Sequence, residues 1–148
     1  MKSTYRVLAL LIAAGVLVQA MTVALGWFMV LKDVDAGAVF DKNSDFNVGQ
    51  VLHGVLGMMV IPLLAILLLI VSFFAGIAGG VKWAAIVFGL VALQIALAFG
   101  AFGVPALGAL HGANALALMA VAGLAGRRAV GQPTDTPAST PASTEATA

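Results

Sequence analysis

The sequence predicts an all-α, polytopic membrane protein, a bundle of four transmembrane helices that run up, down, up and down. Of its 148 residues, 62% are hydrophobic and 9% are charged, and the mean hydropathy is +1.12. Soluble domains carry about 25% charged residues, so this chain has too few polar side chains to cover a water-exposed surface. Its charges fall into clusters separated by four apolar stretches, each long enough for the roughly 20 residues of a membrane-spanning helix. Because the bilayer offers no water to satisfy the backbone, each stretch is predicted to be helical.

The predicted transmembrane domain covers residues 1–130, and its helices cover about 7–31, 48–77, 83–102 and 105–124. The first helix follows a basic segment and contains Val18-Gln19-Ala20, so a cleaved signal peptide is the alternative. However, the apolar stretch continues to Leu31, beyond the roughly 7–15 residues of a signal-peptide hydrophobic region. We therefore expect the first helix to be retained.

Two prolines bear on the course of the helices. Pro62 lies near the middle of the second helix, where a missing N–H and a steric clash predict a kink. Pro105 lies at the start of the fourth helix, where proline is well tolerated. With short connections between helices, the bundle is expected to place the second and fourth helices on one diagonal and the first and third on the other.

Residues 131–148 are rich in proline, threonine, alanine and serine. Such a composition cannot bury enough apolar area to fold, so we predict a disordered cytoplasmic tail.

The distribution of basic residues predicts the orientation in the membrane. The first connection, between the first two helices, holds Lys32 and Lys42 among four aspartates. Five basic residues lie on the other side, namely Lys2, Arg6, Lys82, Arg127 and Arg128. The positive-inside rule then places both termini in the cytoplasm, and we expect a multi-pass protein of a bacterial cytoplasmic membrane.

Two histidines occupy matching positions in the second and fourth predicted helices. His53 lies in Leu-His-Gly and His111 in a second Leu-His-Gly, and these are the only histidines of the chain. Each follows a helix with one glutamine, Gln19 or Gln94, so the halves resemble two tandem hairpins. The histidines are expected roughly 6–12 Å below the outer surface and the glutamines somewhat deeper, at about 12–18 Å. An ionisable side chain at membrane depth is costly and by default indicates a functional site.

The histidine pair predicts a site for one b-type haem. Neutral imidazole is a common axial ligand of haem iron, and helical bundles build cofactor sites from facing helices. Glycines beside the histidines leave room for a flat macrocycle, and Asn114 and the two glutamines are expected to support the ligands. The expected iron ligands are His53 and His111. The other expected site residues are Gly54, Gly57, Gly112, Gln19, Gln94 and Asn114.

Other interpretations of the histidines remain open. As interhelical hydrogen-bond partners of Gln19, Gln94 or Asn114, they would only hold the helices together, in a non-catalytic accessory or scaffold protein. A quinone or lipid pocket, a proton path and a transition-metal site are further alternatives. Two histidines without carboxylate or thiolate neighbours leave the coordination of a metal ion incomplete.

Several function classes are excluded. The absence of cysteine excludes disulfides, thiolate metal sites and covalent haem attachment. A net charge of +1 gives no general attraction to nucleic acid. The sequence has no Ser-His-Asp pattern, phosphate loop or zinc-protease motif, so enzymatic activity is not predicted.

The order of these motifs resembles a family of small, uncharacterised four-helix bacterial membrane proteins. The resemblance covers about residues 5–129 and carries no established activity. The residues that carry it are Gln19, His53, Gly54, Gly57, Gln94, His111, Asn114, Ala115, Leu116, Arg127 and Arg128. More distantly, the histidine placement is similar to bis-histidine b-type cytochromes and to half of the haem A synthase bundle. Those synthases have more histidines and an acidic residue beside one of them, which this chain lacks. From the histidine pair itself we expect a small membrane b-type cytochrome that passes electrons to or from a quinone or a redox partner protein.

Overall fold

The computed structural model describes residues 1–130, and these form four long helices. They are α1 (Lys2–Asp35), α2 (Val48–Ser72), α3 (Gly80–Gly103) and α4 (Ala106–Arg128). Each is long and apolar enough to cross a membrane, which confirms the predicted all-α bundle and a multi-pass membrane protein with four candidate spans. The predicted disordered tail, 131–148, lies outside the described residues.

The helices pack in a ring in which each contacts its neighbours along the chain and α4 also contacts α1. Helices α2 and α4 therefore lie on one diagonal, as expected. The basic end of the bundle carries the start of α1, the α2–α3 turn and the end of α4. The acidic end carries the end of α1, the loop 36–47 and the short α3–α4 connection, and it holds the aspartates of the described residues.

The packed apolar core fills only the half of the bundle nearer the basic end. On α1 the buried hydrophobic residues end at Val16, and on α2 they begin at Ile61; on α3 they end at Val91, and on α4 they begin at Leu118. The core includes Tyr5, Ala9, Ile12, Ala65, Leu68, Ala84, Val87, Ala122 and Ala125. Because α1 contributes four of the buried side chains, the bundle depends on this helix. The half nearer the acidic end has no comparable core among the described residues.

In the acidic half, α1 and α2 approach each other through glycines. A Cβ atom added at Gly49 would lie 2.6 Å from the Cα of Gly26 and 2.8 Å from the carbonyl oxygen of Thr22. Asn47 caps α2 in a capping box with Gln50, and its amide also donates to the Gly26 carbonyl at 2.9 Å. This crossing fixes the position of the first turns of α2 against α1.

Helix α2 is irregular just before Pro62. The α-helical segment Val48–Val55 is followed by a π-helical turn, Leu56–Val60, and the α-helix resumes at Ile61. Proline cannot donate the hydrogen bond that an α-helix requires in its interior, so a local change of winding next to it is expected. The irregularity predicted at Pro62 takes the form of this π turn, and π turns are frequent at functional sites.

All four helices differ in length from the predicted spans, and α1 and α2 differ most. Helix α1 extends into the charged residues at both ends. Hydropathy locates only the apolar part of a helix, and a helix can continue through charged residues beyond it. Helix α2 ends at Ser72, although the apolar sequence continues to Ile77. The turn that follows uses left-handed backbone at Gly76 (φ 60°) and Gly79 (φ 70°), a conformation that glycine adopts without strain.

Candidate functional site

Each histidine contacts the glutamine of its own half of the chain. The Nδ1 atom of His53 lies 3.2 Å from the carbonyl oxygen of Gln19, and that of His111 lies 3.0 Å from the carbonyl oxygen of Gln94. The structure thus brings the four predicted residues together, and each histidine lies level with its glutamine rather than closer to the surface. The expected depths were counted in residues from the ends of the predicted spans. Because α1 continues well beyond the point where it crosses α2 at Gly26, equal counts on α1 and α2 do not correspond to equal depths in the bundle.

These contacts determine which ring nitrogen carries the hydrogen when an imidazole is neutral. A carbonyl oxygen only accepts, so Nδ1 must carry the hydrogen and donate it. In the neutral ring, Nε2 is then unprotonated and presents a lone pair. Among the described residues, neither Nε2 atom has a hydrogen-bond partner. In its neutral form, each histidine therefore keeps one nitrogen available for a ligand.

The two histidine rings face each other across the diagonal of the bundle. Their centroids are 6.3 Å apart, and their planes are inclined by 60°. At this separation the rings are not stacked in contact.

Gln19 holds the backbone of His53 as well as its ring. The Nε2 of Gln19 donates to the carbonyl oxygen of His53 at 3.0 Å, so the two residues are joined by two hydrogen bonds. Thr22 Oγ1 donates to the Gln19 carbonyl at 3.0 Å. A Cβ atom at Gly57 would collide with the side-chain nitrogen of Gln19, so a larger residue there would displace this amide from its hydrogen bond to His53. Thr22 was not predicted, although its position one turn after Gln19 places it on the same helix face.

The second half uses a different supporting residue. The side-chain nitrogen of the buried Asn114 donates to the carbonyl oxygen of Leu90 at 3.0 Å and to Oε1 of Gln94 at 2.6 Å. Asn114 was expected beside His111, but its hydrogen bonds lead to α3. It therefore acts on the histidine indirectly, because it fixes the glutamine whose carbonyl accepts from His111.

A cavity of about 540 Å³ lies between the four helices in the acidic half. Both histidines and both glutamines line it, and every other lining residue is apolar or glycine. A Cβ atom at Gly54 or at Gly112 would meet no heavy atom within 4 Å. The apolar lining residues include Val16, Leu17, Val23, Met58, Ile61, Val91, Ile95, Phe99, Phe102, Ala115, Leu116 and Met119. The cavity thus occupies the half of the bundle that lacks a packed core.

Replacing Gln19 by leucine is expected to lower the stability of the bundle without filling the cavity. The change removes the hydrogen bond to His53 but keeps the size of the side chain. Interhelical hydrogen bonds in membranes contribute about 1 kcal/mol, which corresponds to roughly 3–5 °C in Tm for a chain of this length. Thermal unfolding in detergent measures the effect. Val18→Leu, a neighbouring exposed position, is the control and should leave Tm unchanged.

The site offers two nitrogen ligands and little else that binds a metal. Among the described residues, no group of three or more histidine, cysteine, aspartate or glutamate side chains is placed to hold a metal ion. A bare ion between the histidines would lack further protein ligands, whereas a macrocycle that supplies its own four nitrogens needs only two. No family model, curated protein or solved structure matches this chain.

Proposed function

We propose that this chain is a small membrane b-type haem protein that holds one haem between Nε2 of His53 and Nε2 of His111. The observation that carries the proposal is the position of these rings across an apolar cavity, with both Nδ1 atoms bound to backbone carbonyls. His53 and His111 would hold the haem, which would supply one-electron transfer when bound. We therefore propose electron transfer as its role.

The distance between the rings agrees with a metal held between them. A metal–imidazole nitrogen bond is about 2.0–2.1 Å long, so two imidazoles that shared one metal would have their rings within a few ångströms of each other. The centroids here are 6.3 Å apart. The 60° between the ring planes is compatible, because each imidazole can rotate about its own bond to the metal.

The hydrogen bonds at Nδ1 also fit ligand histidines. Metal-binding histidines usually donate their second ring N–H to a carbonyl or carboxylate, which fixes the ring and makes the ligand nitrogen more basic. Here Gln19 and Gln94 supply these carbonyls in both halves. The same arrangement on two different hairpins supports a shared ligand rather than two unrelated packing contacts.

The cavity suits a large flat cofactor. Its volume lies within the roughly 300–1,000 Å³ of small-molecule and cofactor pockets. Gly54 and Gly112 follow the histidines directly and leave open space beside them. A bound cofactor would also supply the apolar contacts that this half of the bundle lacks.

The orientation and partners follow from charge and from resemblance. We propose that the basic end is cytoplasmic and that the site lies toward the outer face of a bacterial cytoplasmic membrane. We also propose that the chain is a member of the uncharacterised four-helix family and that its site is similar to that of bis-histidine b-type cytochromes. The electron partner would be a membrane quinone or a redox protein.

A haem titration with a blocked variant tests the cavity. We expect the purified protein to bind one haemin per chain, and Gly112→Leu to bind little, because the new side chain would occupy the open space beside His111. Gly123→Leu is the matched control, since a Cβ there also meets no atom within 4 Å but Gly123 does not line the cavity. Equal titration curves for the two variants would argue against this binding site.

The second candidate is an accessory or scaffold protein without a cofactor. It is favoured by one observation, since both histidines already make interhelical hydrogen bonds to carbonyls of α1 and α3. Such a protein would purify without colour and would not change on addition of haem. Gln19→Leu would then alter stability alone, whereas in a haem protein it would also weaken haem binding.

A further inference from the structure

A second cavity, of about 650 Å³, lies at the basic end of the bundle, away from the histidines. Its cationic walls are Lys2 at the start of α1 and Arg127 and Arg128 at the end of α4. The α2–α3 turn, residues 76–78, closes another side. The remaining walls are largely apolar, formed by Ile77, Leu124, Ala129 and Val130. The cavity therefore combines three cations with an apolar surface at the level where the helices end.

The cations of this cavity face an end of the bundle without acidic residues in the described chain. All aspartates within residues 1–130 belong to α1's last turn or to the loop 36–47, at the opposite end. Arg6 and Lys82 add two further positive charges near the cavity's end of the bundle. Uncompensated basic groups in a pocket favour an anionic ligand.

Several contacts hold the walls in place. The guanidinium carbon of Arg128 lies 4.6 Å from the ring centroid of Trp83 on α3, a cation–π arrangement that restricts the side chain. The buried Tyr5 hydroxyl donates to the Gly80 carbonyl at 3.0 Å and ties α1 to the end of the α2–α3 turn. Within this turn, the backbone N–H groups of residues 76–78 have no backbone acceptor among the described residues. The walls of the cavity are thus held in place by contacts between the helices.

We propose that this cavity binds the phosphate headgroup of an anionic phospholipid from the surrounding leaflet. Arginine and lysine bind phosphate through charge-assisted hydrogen bonds, and basic pockets between transmembrane helices bind acidic lipid headgroups. The apolar walls at Ile77, Leu124 and Val130 would lie against the glycerol and the first acyl carbons. A free phosphate ion would gain nothing from these walls, which is why the geometry favours a lipid.

Native mass spectrometry of the full-length protein in detergent tests the proposal. Titration with palmitoyl-oleoyl phosphatidylglycerol should give one retained lipid, and phosphatidylcholine with the same acyl chains should give none at equal concentration. Lys2→Gln and the double variant R127Q/R128Q should weaken binding by about five-fold for each charge removed. The conservative variant R127K/R128K should retain most of the affinity, and K32Q/K42Q at the acidic end should match the unmodified protein.

Three results would overturn the proposal. One is equal retention of phosphatidylglycerol and phosphatidylcholine, which indicates unspecific lipid contact. Another is unchanged phosphatidylglycerol binding in both Lys2→Gln and R127Q/R128Q. Since Arg128 also contacts Trp83, Lys2→Gln keeps the test valid if the double variant fails to fold. The third is displacement of the lipid by inorganic phosphate at equal concentration, which would identify a site for a soluble anion.

Discussion

Replacing His53 or His111 by alanine is expected to abolish haem binding while the protein remains in the membrane. Each single change would remove one of the two proposed haem ligands and enlarge the cavity beside it. The measurement is the haem content and the visible spectrum of each variant after purification from the membrane fraction. Because the histidines are half-buried and each ring makes one hydrogen bond, we expect the helices to pack without these side chains.

Two controls separate loss of a ligand from loss of structure. Met58 also lines the cavity, and its sulfur atom is a possible metal ligand. The Met58→Leu variant should still bind haem. Added imidazole should restore absorbance in the histidine variants, because the free ring can occupy the vacated space; a purely structural role would give no such rescue. Full haem content in both single variants would refute the bis-histidine site.

Gly49→Ala is expected to produce the largest loss of stability from a single added methyl group. The new Cβ would lie 2.6 Å from the Cα of Gly26 and 2.8 Å from the Thr22 carbonyl oxygen, so α1 and α2 would have to move apart. Overpacking of this kind costs about 1–3 kcal/mol, which corresponds to roughly 4–10 °C in Tm for a chain of this length. Thermal unfolding in detergent, followed by circular dichroism, measures the change.

The matched control is Gly54→Ala on the same helix. A Cβ atom there meets nothing within 4 Å, and alanine is the better helix former, so Tm should stay the same or rise slightly. Separation of α1 from α2 should also draw His53 away from Gln19, so Gly49→Ala should weaken haem binding as well. Similar Tm values for the two variants would contradict the close helix contact.

The helices and their order were predictable because the bilayer imposes a simple requirement on each span. About 20 apolar residues must be helical in a membrane, and short connections place successive helices side by side. The exact ends were not predictable in the same way. Residues 73–79 are apolar, and only the left-handed backbone at Gly76 and Gly79 separates α2 from α3. The glycines are the sign of a turn in this segment, but glycines also occur inside these helices and so do not locate the helix end.

The residues of the site were predictable, but their contacts were not. Polar side chains are rare in these helices, so the sequence alone identifies Gln19, Gln94, His53 and His111 as candidate site residues. The acceptors of the histidines are backbone carbonyls, and every residue has one, so no pattern in the sequence selects Gln19 or Gln94 as the partner. The contact of Asn114 with α3 and the π turn before Pro62 depend likewise on packing between helices.

The cavity in the acidic half of the bundle was the least predictable feature. Apolar residues continue through both halves of every span, so hydropathy is the same where side chains interlock and where they line a cavity. The small residues near each histidine were a hint of space. Small residues also occur where two helices pack closely, and Gly49 is in such a contact.

The most direct test of the proposed haem is the visible spectrum of the protein purified in detergent from haem-replete cells. We predict a Soret band that shifts on reduction with dithionite, together with a sharp reduced α band, as expected for a b-type haem with two histidine ligands. A colourless protein whose spectrum remains that of free haem when haem is added would contradict the account. His53 and His111 would then be interhelical hydrogen-bond partners alone.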